Sequence, residues 1–83
     1  MITVYTTSIC PRCKLLKAWL KDHKIPFAEK SLEDDAEAIA EMRISGYFGV
    51  EAPILENPLG SYYGPGEMFV GGKVDEKKMR EIV

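Results

Sequence analysis

The sequence predicts an α/β fold: a four-stranded mixed sheet flanked by helices, in the order β-α-β-α-β-β-α. Three observations carry this. A strand-forming run opens the chain and leads directly into a helix. A second strand and helix follow at the same spacing. Two short extended runs then bracket an Asn-Pro-Leu-Gly turn before a last capped helix. A strand–helix–strand unit makes its two strands parallel, whereas a short turn makes a hairpin, so the sheet is mixed.

Each element has a local cause. Residues 1–6 (Met-Ile-Thr-Val-Tyr-Thr) hold β-branched and aromatic residues and read as the first strand; residues 6–9 are a polar turn. Pro11 suits the first helical position, where its missing N–H costs nothing. Residues 12–22 then read as helix, with Leu15, Leu16, Trp19 and Leu20 as one apolar stripe and Trp19 as a core residue. Lys14, Lys17, Lys21 and Lys24 lie largely off that stripe, and Pro26 stops the helix. Residues 27–32 form the second strand. Glu33, Asp34 and Asp35 place negative charge at a helix N-terminus, and a helix follows over residues 35–44. Its buried side is expected to hold Ala36, Ile39, Ala40, Met42 and Arg43, with Gly46 as C-terminal stop.

Residues 47–52 read as a loop ending in Ala52-Pro53. Residues 54–56 are a third strand, Asn57, Pro58 and Gly60 a turn, and residues 61–63 a fourth strand. Of Tyr62 and Tyr63, one is expected in the sheet packing and the other exposed. Gly64, Pro65, Gly66, Gly71 and Gly72 break the next stretch, the last two as a turn. Asp75 caps a final helix ending near Val83.

Length and composition narrow the function classes. With 83 residues the chain has room for one domain over residues 1–83. Apolar residues make up 46% and charged residues 29%, which is ordinary globular usage. A net charge of −2 argues against a nucleic-acid grip, which needs a basic excess. No apolar run approaches the ~20 residues of a membrane span, and the opening residues lack the basic region of a signal peptide. Two cysteines are too few for a secreted disulfide scaffold, so the cytoplasm is the expected compartment. Charge is uneven: residues 12–24 carry five bases and one acid, residues 29–51 seven acids and two bases. Two solvated helix faces account for this, and so does a patterned partner surface around the first helix.

The chemistry centres on Cys10-Pro11-Arg12-Cys13. The pair follows a strand and opens a helix, as a redox CxxC does. Cys10 falls at the N-cap, where its sulfur faces backbone N–H groups without helical partners and the positive end of the dipole. Both favour the thiolate; such settings bring a cysteine from about 8.5 to about 3.5–7.5. Cys13 lies one turn further on the same side, closer to the protein body. In a redox cycle Cys10 attacks a substrate disulfide and Cys13 resolves the mixed disulfide. Arg12 either stabilises the thiolate or is an exposed helix residue. The competing readings are a structural disulfide, a metal half-site and a redox-inert adaptor. Zinc normally takes four ligands, and His23 lies about 15 Å along the helix from Cys10, so no metal ligand set is assigned within one chain.

Strand, Cys-Pro-x-Cys, helix and a later Ala-Pro before a hairpin resemble the glutaredoxins, within the thioredoxin-like fold. The resemblance spans nearly all of the chain and is strongest at Val4-Tyr5, Cys10 to Cys13, Ile25-Pro26-Phe27 and Ala52-Pro53. It implies a thiol–disulfide oxidoreductase, a dithiol electron carrier with Cys10 as nucleophile and Cys13 as resolving cysteine. It also implies a cis Pro53 facing the disulfide, with the Ala52 backbone beside it to pair with a peptide or with glutathione. The glutathione-binding Gly-Gly of the family corresponds by spacing to Gly64-Pro65-Gly66 and by letters to Gly71-Gly72, which lies further along; the spacing is favoured and gives Gly64 a backbone role. Two positions depart from the family. The basic residue three positions before the first cysteine is Thr7 here, and the usual Thr-Val-Pro is Glu51-Ala52-Pro53. Both argue against glutathione, and no tightly bound cofactor is expected.

The chain is closer to the small redoxins that serve ribonucleotide reductase and take electrons from thioredoxin reductase, and to archaeal and anaerobic glutaredoxin-like proteins. Expected partners are protein disulfides, ribonucleotide reductase among them, and a thioredoxin-reductase-type or glutathione reductant, with the chain acting as a monomer. The alternative function is an iron–sulfur or metal-carrying module.

Overall fold

In the computed structural model, residues 1–49 and 51–83 are described. The elements are β1 (Ile2–Thr6), α1 (Pro11–Asp22), β2 (Phe27–Ser31), α2 (Ala36–Ile44), β3 (Ile54–Glu56), β4 (Tyr62–Tyr63), α3 (Pro65–Met68), β5 (Phe69–Val70), β6 (Lys73–Val74) and α4 (Glu76–Ile82). The seven expected elements are present. Between β4 and the last helix the chain adds a helical turn and a small hairpin, where the glycines had suggested only a break. Gly71 and Gly72 make that hairpin's turn with φ of +58° and +78°, the pair of positive angles a two-residue type I′ turn requires. The loop expected over residues 47–52 contains Val50, which lies outside the described residues; the remainder has no regular structure.

The sheet order is β2-β1-β3-β4. β1 pairs parallel with β2 (Thr6 opposite Ser31) and antiparallel with β3 (Tyr5 opposite Ile54), and β3 pairs antiparallel with β4 (Leu55 opposite Tyr63). This register brings the carboxyl ends of β1, β2 and β4 and the amino end of β3 to one end of the sheet. The segments after Ser31, after Thr6, before Ile54 and after Tyr63 emerge there side by side.

Strand alternation divides the core. Ile2, Val4 and Leu55 face α1 and α4, where they pack with Leu16, Leu20, Met68, Met79 and Ile82. Tyr5 and Ile54 face the other way, against Ala38 and Met42 of α2. Each buried Val, Leu, Ile or Met side chain among these contributes up to about 1.5–3 kcal/mol by leaving water. The buried faces differ from expectation in detail. In α1, Leu15 is exposed and Trp19 half-buried, while Cys13, Leu16 and Leu20 are buried. In α2, Ala36 and Ala40 are exposed, and Ala38 and Met42 form the contact. Tyr62 and Tyr63 are both half-buried, on opposite faces of the sheet.

Helix ends are set locally. Asp35 accepts the Ala38 N–H at 3.0 Å and Asp75 the Lys77 N–H at 3.0 Å, as N-cap carboxylates do. Both long helices close with a left-handed residue and paired reverse hydrogen bonds. In α2 that residue is Gly46 (φ +95°), with Tyr47 N–H donating to Met42 O at 3.2 Å. In α1 it is Lys24 (φ +56°), with Ile25 N–H donating to Leu20 O at 2.9 Å. Pro26 therefore follows a helix that has already stopped.

Candidate active site

Cys10 leaves β1 through a short loop and becomes the N-cap of α1. Its backbone is extended (φ −151°, ψ 93°), and its sulfur accepts the Cys13 N–H at 3.1 Å. One of the unpaired amides of the first helical turn thus points at the sulfur, and negative charge there is stabilised by that amide and the helix dipole. Cys10 and Cys13 are disulfide-bonded, with Cα atoms 5.2 Å apart. Their surroundings are unequal: Cys10 is half-buried, whereas Cys13 is 2% exposed.

The loop carrying Cys10 is tied to its neighbours. The Ser8 N–H donates to Glu33 Oε1, which joins the loop to the segment after β2. Ser31 Oγ accepts the Glu33 and Asp34 N–H groups at 3.0 and 3.1 Å and shapes that segment. A cleft of about 320 Å³ beside the disulfide is lined by both cysteines, Thr6, Thr7, Ser8, Lys14, Lys17, Glu29, Ser31, Glu33 and Asp34. On its wall Glu29 Oε2 accepts from Thr6 Oγ1 at 2.8 Å and meets Lys17 Nζ at 3.1 Å. The Thr6 hydroxyl, and then Lys17, hold the Glu29 carboxyl below its ordinary range. A second cleft, of about 280 Å³, is lined by Ser8, Ile9, Cys10, Pro11 and Lys14.

The remaining sequence candidates are distributed as follows. The Ala52–Pro53 bond is cis, as the resemblance implied, and both residues are buried. Extending the β1–β3 register by one step sets Pro53 opposite Thr6, at the sheet end where Cys10 emerges. Arg12 is exposed on α1 and lines neither cleft beside Cys10. Gly64 follows β4 at the same sheet end, as the N-cap of α3, and its N–H donates to Glu67 Oε1 at 3.3 Å. It lines a third cleft, of about 390 Å³, with Tyr47, Phe48, Gly49, Glu51, Pro65, Gly66 and Glu67. A Cβ built on Gly64 would lie 2.5 Å from Tyr47 Oη, so the tyrosine already fills that space. Burial, and then Glu67, push the Tyr47 hydroxyl pKa up. Gly71 and Gly72 lie in the β5–β6 turn and line none of these clefts.

Sequence reasoning missed Lys14, Lys17, Glu29 and Tyr47. A signal existed for the lysines: Cys10, Cys13, Lys14 and Lys17 fall at i, i+3, i+4 and i+7, one helix face. Among the described residues, no three His, Cys, Asp or Glu side chains are grouped to hold a metal ion, and no helix is long and apolar enough to cross a membrane.

Known proteins agree with this geometry. The glutaredoxin family model matches residues 2–53. The glutaredoxin-like protein NrdH of Lactococcus lactis subsp. cremoris (strain MG1363) is 33% identical over 55 residues, 66% of this chain and 74% of that protein. The global transcriptional regulator Spx of Bacillus subtilis (strain 168) is 37% identical over 43 residues, 52% of this chain. The match spans 33% of that regulator's length. The crystal structure of the thioredoxin-like protein BC3987 superposes with a TM-score of 0.72 over 100% of both chains, at 22% identity, and so shares the fold. With family model, full-fold neighbour and a cysteine pair capping the first helix in accord, this chain belongs to the glutaredoxin family of thiol–disulfide oxidoreductases.

Proposed function

We propose that the chain is a dithiol electron carrier that reduces protein disulfides and is itself reduced by a thioredoxin-reductase-type enzyme rather than by glutathione. One observation carries the reading: two bonded cysteines at a helix N-terminus, the outer reachable from water and the inner sealed. In the reduced protein the Cys10 thiolate attacks a sulfur of the substrate disulfide. A Cys10–substrate bond forms, the substrate S–S bond breaks, and the departing thiolate takes a proton from water. The Cys13 thiolate then attacks the Cys10 sulfur and releases the second substrate thiol. Two electrons have passed to the substrate, and the reductase returns two.

Ala52 and Pro53, at the sheet end that carries Cys10, serve in this reading as the backbone against which an extended peptide lies, and exposed Arg12 faces the partner. What supports a reductase over glutathione is the third cleft. Tyr47 Oη occupies the space above Gly64, the Gly64 N–H is engaged by Glu67, and Glu51 and Glu67 face a ligand that brings two carboxylates of its own. Gly64 then makes room for Tyr47. The likeness to small redoxins that serve ribonucleotide reductase supports that enzyme as a target, in the cytoplasm, with one chain sufficient for the chemistry. The likeness to Spx covers a third of that regulator and gives no ground for a role in transcription.

The experiment offers the oxidised protein NADPH with thioredoxin reductase in one vessel and glutathione with glutathione reductase in another, insulin being the terminal acceptor in both. Turnover is expected in the first and little in the second. Cys10→Ser should abolish turnover, and Cys13→Ser should accumulate mixed disulfides. Full activity in Cys10→Ser would overturn the mechanism, and saturable glutathione turnover would overturn the choice of reductant.

A further inference from the structure

Cys10 borders a small cleft in which one charged side chain faces the approach to its sulfur. In the cleft formed by Ser8, Ile9, Cys10, Pro11 and Lys14, the lysine is the one charged residue among those described. Lys14 also lines the larger cleft that holds both cysteines, together with Lys17, Glu29, Glu33 and Asp34. Helical spacing puts it there, since Lys14 follows Cys10 by four residues, about one turn along the same face.

The other charged residues that line these two clefts are engaged, and Arg12, exposed on α1, lines neither. Lys17 meets Glu29 at 3.1 Å, Glu29 also accepts from Thr6, Glu33 accepts from the Ser8 N–H, and Asp34 Oδ2 accepts from Ser31 Oγ at 3.5 Å. Among the described residues no carboxylate lies within 4.0 Å of the Lys14 ammonium. Across the sheet end, the cleft lined by Tyr47, Phe48 and Gly64 holds Glu51 and Glu67 and, among the described residues, no base. A carboxylate that approaches Cys10 over the smaller cleft therefore meets Lys14 as the charged residue of its lining.

We propose that Lys14 is a specificity-determining residue: it receives the carboxylate of an Asp or Glu beside the reactive cysteine of a partner protein, with Ile9 and Pro11 giving apolar contact. This rests on the dithiol-carrier reading above. Lys14 makes and breaks no bond. It acts on the encounter that precedes attack of the Cys10 thiolate on the partner disulfide.

The test uses the full chain, reduced and freed of reductant, and three disulfide-linked peptides of equal length with Glu, Gln or Lys on each side of the cysteine. Second-order rate constants for oxidation of the dithiol are measured at low ionic strength. The Glu peptide should react about fivefold faster than the Gln peptide, a factor equal to the ~1 kcal/mol between unit charges 4 Å apart in water. The Lys peptide should be slowest. The differences should shrink at 1 M salt, where the Debye length falls to about 3 Å. K14E should invert the order of the peptides. K24E changes the net charge equally at the far end of α1 and should keep the wild-type order. An order that survives K14E, or a K14E that changes all three rates by one factor, overturns the assignment; the second result would make Lys14 a group that sets Cys10 reactivity. If no peptide oxidises the dithiol, the carrier reading falls and this inference falls with it.

Discussion

Replacing Gly64 by Ala measures how tightly the third cleft is built. The backbone of Gly64 is extended (φ −89°, ψ 178°), a conformation Ala adopts freely. On that ground alone Gly64→Ala should stabilise the protein by about 0.4–1 kcal/mol, because it narrows the unfolded ensemble. Packing opposes this. The new Cβ would sit 2.5 Å from Tyr47 Oη, and the ring has little room to retreat. A Cβ at Gly49 would also meet this side chain, at 2.5–2.6 Å, and Tyr62 stacks on its ring with centroids 5.7 Å apart. Overpacking of this kind costs about 1–3 kcal/mol. The hydroxyl is the whole obstacle, since the next Tyr47 atom, Cζ, lies 3.8 Å from the built Cβ, an ordinary contact. Gly64→Ala should therefore destabilise by about 1–3 kcal/mol beside Tyr47 and become neutral or stabilising beside Tyr47→Phe. The coupling between the two positions would be at least about 1 kcal/mol. Urea unfolding of the four proteins gives the cycle, with midpoint shifts at constant slope. In thermal unfolding, 1 kcal/mol is about 4–8 °C for a chain of this size. Equal effects of Gly64→Ala in both backgrounds would refute the packing argument.

Three further outcomes follow from the same structure. Lys24 holds a left-handed conformation at the end of α1 that Gly46 holds at the end of α2, so Lys24→Gly should raise stability by about 1 kcal/mol and Gly46→Ala lower it by a similar amount in thermal unfolding. Glu29 has a depressed carboxyl pKa, chiefly through the Thr6 hydroxyl; its stabilising effect is present above the unfolded carboxylate range and is lost as pH falls through the depressed value. Between about pH 5 and 2, Glu29→Gln should lose less of its denaturation midpoint than the parent, and equal losses would contradict the network. Tyr5 is fully buried, and its hydroxyl pKa is pushed far up by that burial and by Glu56, to which it donates at 2.9 Å. Its neutral form is favoured by folding, so stability is lost as pH rises past the ordinary tyrosine value of about 10, and Tyr5→Phe should resist alkaline denaturation better than the parent.

What the sequence made legible is what depends on near neighbours. The N-cap position of Cys10, the carboxylate cap at Asp75 and the stop at Gly46 each involve backbone groups no more than five residues away, and all three are visible in the chain; at Asp35 the sequence shows the charge at the helix start, and the structure makes that residue the cap. The end of α1 has equally local bonds, but the sequence signals it only through Pro26, because Lys24 carries no signal for a left-handed residue. The buried face of α2 could not be chosen by pattern: Ala36, Ala38 and Ala40 are equivalent as letters, and the contact with Tyr5 and Ile54 selects Ala38. The β5–β6 hairpin has a readable turn in Gly71-Gly72, but its strands of two residues each are too short for an alternation to show. The site's electrostatics lay further out of reach. Glu29 meets Lys17 twelve residues away and Thr6 twenty-three residues away, pairings that exist only once β2 lies beside β1.

Sheet topology also fixes the order of events in the proposed cycle. Because β1 is an inner strand, the helix that follows it must leave the sheet end with its first turn above the core, which turns the i+3 cysteine inward and leaves the capping cysteine at the rim. A partner disulfide can therefore reach Cys10 and not Cys13, which is 2% exposed. Once a mixed disulfide has formed, Cys13 is already adjacent, with its Cα 5.2 Å from that of Cys10. Resolution is then intramolecular and has the advantage of high effective concentration over attack by a second partner thiol. Burial thus adds to the N-cap position in separating nucleophile from resolving group. On this reasoning, Cys13→Ser should lengthen the life of mixed disulfides while leaving Cys10 free to form them, and mixed disulfides that resolve as fast in that variant as in the parent would refute it.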